Sequence, residues 1–63
     1  MFKIRLSGTS DFLSDIDWTA KECTFIKDWN NPSTLMFLTR EAAESAVDAV
    51  SEIEGFRTSI EEV

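Results

Sequence analysis

The chain has 63 residues, 43% of them hydrophobic and 29% charged, a balance that suits one folded domain with one small core rather than a disordered segment. Its net charge of −6 argues against direct binding to nucleic acid or anionic lipid, which attract basic patches. The charge is uneven, with a net −1 over residues 1–39 and −5 over residues 40–63.

Phe2, Ile4 and Leu6 alternate with Lys3 and Arg5, the period of a strand with one buried face. This predicts a first strand over residues 2–7. The run Ser7-Gly8-Thr9-Ser10-Asp11 collects turn formers. A second alternation follows, with Phe12, Ser14, Ile16 and Trp18 inward against Leu13, Asp15 and Asp17 outward. After a break at 19–22, Cys23, Phe25, Lys27 and Trp29 alternate with Thr24, Ile26 and Asp28. On this register Leu13 and Ile26 form a small apolar patch on the wet side of a three-stranded meander.

Asn30-Asn31-Pro32-Ser33 is the strongest loop signal. Leu35 to Leu38 reads either as a brief fourth strand or as a lead-in that drops Phe37 into the core. Thr39 suits an N-cap, and over Arg40 to Glu54 the residues Ala42, Ala43, Ala46, Val47, Ala49, Val50 and Ile53 share one arc. Gly55 supplies the stop, and 56–63 reads as a last strand with Phe56 and Ile60 inward. The expected fold is α+β, an antiparallel sheet of three to five strands with one amphipathic helix on one face, in the order βββ(β)αβ and as a single domain over 1–63.

Histidine is absent, which removes the imidazole that most triads and many metal sites require. The two glycines, Gly8 and Gly55, are accounted for by turns, and no phosphate loop is present. Asp11, Asp15 and Asp17 suggest a hard cation, yet an EF-hand loop begun at Asp15 places Ala20 at its glycine position and Ile26 at its bidentate glutamate. Asp15 and Asp17 share the wet face of Lys3 and Arg5, and cross-strand ion pairs explain them more simply. No catalytic residue, metal ligand or cofactor is expected, and the chain reads as a non-enzyme.

Cys23 is the single cysteine and cannot close an internal disulfide. It reads as a small buried hydrophobe on a strand. No signal-peptide or membrane-spanning run is apparent, so a cytoplasmic protein is expected.

What remains is surface. Glu41, Glu44, Asp48 and Glu52 recur at helical spacing on the outward face, an acidic stripe whose like charges cost a few tenths of a kcal/mol per pair. It serves either as a solvated face or as a surface for a protein partner with a basic groove. Four carboxylates over about 17 Å of helix are sparse beside duplex DNA, which presents one charge per ~1.7 Å. Mimicry of a phosphate backbone would therefore need the other acids. Trp18 and Trp29 stand at strand ends, where each either closes the edge of the core, the simpler expectation in so small a protein, or anchors a partner.

Asp28 to Val63 resembles a pattern among small phage and prophage proteins of unassigned function. Its marks are Phe37-Leu38-Thr39-Arg40-Glu41-Ala42-Ala43-Glu44 opening the helix, Gly55-Phe56 closing it and Ile60-Glu61-Glu62-Val63 at the end. Phe12-Leu13-Ser14-Asp15 after a glycine turn is similar too. The resemblance implies a phage-like origin and supplies no site residues. The functional expectation is a protein-binding module, in one version an inhibitor of a host or defence nucleic-acid-binding protein acting in the host cytoplasm. The alternative is a small assembly protein, a homo-oligomer joined through a sheet edge or an apolar sheet face.

Overall fold

The computed structural model describes residues 1–27 and 31–63. Strands β1 (Phe2–Leu6), β2 (Asp11–Asp17) and β3 (Glu22–Lys27) precede helix α1 (Arg40–Glu54), and β4 (Thr58–Glu62) closes the chain. The sheet is antiparallel in the order β3-β2-β1-β4. The first three strands form the expected meander. The segment after β3 returns the chain to the β1–β2 seam at Phe37, the helix then runs across one face from beside Phe2 toward β3, and β4 joins the far edge beside β1.

The helix has the predicted bounds. Thr39 is extended and its Oγ1 accepts from the Ala42 amide at 3.1 Å, an N-cap of the kind that contributes about 1 kcal/mol. Gly55 ends the helix at φ 74°, a left-handed conformation that glycine adopts without a Cβ clash, and its amide donates to the Ser51 carbonyl. Ala43, Ala46, Ala49 and Val50 are buried, and their small side chains bring the helix close to the sheet. Ala42, placed on the inward arc by the sequence, is exposed.

The core cluster joins Ile4, Leu13, Ala43, Ala46 and Val50, with Phe2, Ile16, Cys23, Phe25, Leu35, Phe37, Val47 and Ile60 packed around it. Leu13 therefore does not face solvent as simple alternation predicts. Leu13 pairs with Phe25 and Asp15 with Thr24, so Ser14 is an extra residue, a β-bulge. The bulge places Leu13 and Ile16 three apart on the same face. Phe12, predicted inward, instead pairs with Ile26 on the opposite face, and the apolar pair on that face is Phe12 with Ile26 rather than Leu13 with Ile26. Ser14 Oγ donates to the Thr24 carbonyl at 3.1 Å, which holds the bulge.

The segment around Phe37 follows the second of the two readings, a lead-in that packs Phe37 against the core, and it touches the sheet through one isolated bridge rather than as a strand. Phe37 forms an antiparallel bridge with Phe2, the two exchanging backbone hydrogen bonds of 2.9 and 2.8 Å, and the Leu35 amide donates to the Leu13 carbonyl at 3.0 Å. Between β1 and β2 the register rests on Arg5 and Phe12. Leu35 and Phe37 thus fill the seam where those strands part, and both side chains pack against the core. β4 begins at Thr58. Phe56 lies before it, 43% exposed but with its ring 6.2 Å from that of Phe25.

Candidate functional site

The pairing of β4 decides which of its backbone groups are free. Ser7 donates to the Arg57 carbonyl and Val63 to the Met1 carbonyl. Antiparallel strands alternate residues that bond a given neighbour with residues that face away from it. Arg57, Ser59, Glu61 and Val63 therefore face β1, and the amides and carbonyls of Thr58, Ile60 and Glu62 point to the outer edge. Among the described residues no strand pairs there.

On the helix side of this edge lies an open groove of about 520 Å³, lined by Arg40, Glu44, Val47, Asp48, Thr58 and Ile60. Val47 and Ile60, both half-buried, give it an apolar floor. Glu44 and Asp48 are exposed and stand on its helix wall. At the Glu62 end the Arg40 guanidinium sits 5.1 Å from the centre of the Phe2 ring, a cation–π contact that holds the cation against the protein. Thr58 Oγ1 is buried with no hydrogen-bond partner.

The predicted partner-binding residues divide. Glu44 and Asp48 enter the groove together. Glu41 and Glu52 are exposed but do not line it, because at ~100° per residue they sit further around the helix, opposite the core. Trp18 lies at the β2–β3 turn, away from β4, and is 58% exposed, so it does not close the core edge as expected. The strand ends one residue earlier, where Asp17 Oδ1 accepts from the Thr19 and Ala20 amides, each at 3.0 Å, and turns the chain under the indole. Trp29 lies outside the described residues.

The opposite sheet face holds a second feature. The registers Phe2 with Phe37 and Phe2 with Glu62 set Leu38 and Val63 on either side of Met1. All three are exposed, at 77%, 43% and 51%, in one apolar row. Beside it Arg5 Nε meets Glu61 Oε1 at 3.1 Å, so the ion pair of Arg5 on this face is with β4 rather than with the predicted aspartates of β2. A shallow hollow of about 200 Å³ opens between Phe12, Glu61, Glu62 and Val63.

Cys23 packs half-buried against the core. Desolvation first, then the charges of Glu54 and Asp15, push its thiol above the ordinary range, which keeps it protonated and poorly nucleophilic. No group of three or more His, Cys, Asp or Glu placed to hold a metal ion occurs among the described residues, and no helix there is long and apolar enough to cross a membrane.

Fold and site together define a small α+β scaffold with an acidic groove beside an unpaired strand edge. No protein-family model matches the chain, and neither a curated protein nor a solved structure matches it.

Proposed function

We propose that this chain is a non-enzymatic protein-binding module that receives a basic segment of a partner protein along the groove between α1 and β4. The observation that supports this reading is the convergence of Glu44 and Asp48 on a groove whose floor is apolar and whose other wall is an unpaired strand. The net charge of −6 steers basic partners toward the molecule and repels acidic ones. If the chain serves a phage, a host or defence protein that normally grips nucleic acid supplies such a basic segment. Helix charge alone is then a partial mimic, since two of the four stripe carboxylates lie outside the groove.

A short capped peptide of alternating lysine and valine is a suitable probe. The double variant Glu44→Lys/Asp48→Lys replaces two attractions by two repulsions, each worth about 0.5 kcal/mol at an exposed site. Its affinity for the peptide, measured by calorimetry at low salt, should fall roughly tenfold or more. Affinity unchanged by the two reversals would retire this reading.

A second reading, self-association through the open sheet face, is favoured by the row of Leu38, Met1 and Val63, because exposed apolar residues side by side mark contact surfaces. It predicts a sedimentation coefficient that rises with protein concentration and a Leu38→Glu variant that stays monomeric. A wild-type chain that is monomeric throughout the range rules this reading out.

A further inference from the structure

Resting on the groove reading above, we infer that the partner's basic segment binds as an extended strand that pairs with the outer edge of β4 and extends the sheet to a fifth strand. The amides and carbonyls of Thr58, Ile60 and Glu62 point outward in the spacing an added strand requires. A strand docked there lies ~4.8 Å from β4, directly beneath the flank of α1 that bears Glu44 and Asp48. Every second side chain of the added strand then faces the helix, where a lysine or arginine meets the two carboxylates and its aliphatic stem covers Val47 and Ile60. The groove of about 520 Å³ falls within the ~300–1,000 Å³ typical of clefts that enclose a ligand. Backbone pairing supplies affinity in such strand addition, and the alternate side chains supply selectivity.

Charge decides against a second copy of the chain as the occupant. Two copies joined edge to edge through antiparallel β4 strands would place both helices on one side of the joined sheet, where each groove wall brings two acids, Glu44 and Asp48, against one base, Arg40, so that like charges outnumber opposite ones. A basic segment instead meets two opposite charges, and the one like charge in the groove, Arg40, is drawn to the Phe2 ring at the Glu62 end.

The test uses the lysine–valine peptide and two N-methylated forms of it, one methylated on every lysine amide and the other on every valine amide. A strand shows alternate amides to a given neighbour, so one form should bind tenfold or more weakly while the other binds as the parent peptide does. In the complex with the parent peptide, exchange of the Ile60 and Glu62 amides should slow at least tenfold, while those of Ser59 and Glu61, already bonded to β1, change little. Equal binding by both methylated forms, together with unaltered exchange at Ile60 and Glu62, overturns strand addition. If Glu44→Lys/Asp48→Lys still weakens the parent peptide in that case, the acidic groove stands without the added strand. If the double variant binds as the wild type does, groove and strand fall together.

Discussion

Replacing Leu13 by alanine is expected to cost about 2–5 kcal/mol, the range for emptying a fully enclosed leucine site. Leu13 has 0% of its surface exposed and sits among Ile4, Val50 and the helix alanines. Alanines held in a helix backbone cannot move into the space, so the site collapses poorly. A domain of 63 residues has roughly 3–9 kcal/mol of total stability. The variant should therefore lose a large part of its urea midpoint, and where the cost exceeds the total stability it should not fold at 25 °C. A loss below ~1 kcal/mol would mean that Leu13 faces the open side of the sheet, where simple alternation puts it.

That residue also shows how far the fold is legible in sequence. The helix bounds, its Thr39 and Gly55 caps and the meander follow from local rules, because capping and turn chemistry act over three or four residues. The orientation of the first part of β2 does not, since a bulge at Ser14 reverses the faces of Phe12 and Leu13 while leaving Ile16 inward, and a serine within an alternating run looks like one more polar position. Trp18 departs from the alternation at the other end of β2. Its position in the alternation is inward, but Asp17 ends the strand and takes the indole into the turn.

The candidate site was half legible. Glu44 and Asp48 stand out as an outward pair on any helical projection, and Val47 and Ile60 as inward positions. Their convergence depends on the sheet order, which places β4 beside β1 at an open edge rather than beside β3. Nothing local to 58–62 states which neighbour β4 will choose. The long-range pairing of Phe2 with Glu62 decides it, and with it the side on which backbone groups are left unsatisfied.

A strand edge left unpaired among the described residues is a hazard, and β4 carries the features that limit it. It is short, with five residues, and ends in Glu61 and Glu62, and short charged edges resist indiscriminate pairing. The helix acids add a further condition, because they favour an incoming strand that brings positive charge. On the proposed reading the same carboxylates that weaken the isolated helix by a few tenths of a kcal/mol per pair would select a basic strand.

Two single-residue deletions are expected to behave in opposite ways, and the contrast tests the register on which the core depends. Removing Ser14 leaves Leu13 opposite Phe25, Asp15 opposite Thr24 and Ile16 opposite Cys23 in unbroken alternation. The chain loses one hydrogen bond to the Thr24 carbonyl and the local twist of the bulge, a cost near 1 kcal/mol. It should remain folded, with a cooperative urea transition. Removing Thr24 from β3 has no bulge to absorb it, so Cys23 and Phe25 become adjacent and one of them must turn from the core to the open face, along with everything beyond it. With so few large side chains in the core, that variant should show no cooperative transition and no dispersed amide spectrum. A folded Thr24 deletion together with an unfolded Ser14 deletion would show that the extra residue lies in β3, and the faces assigned to β2 would have to be exchanged.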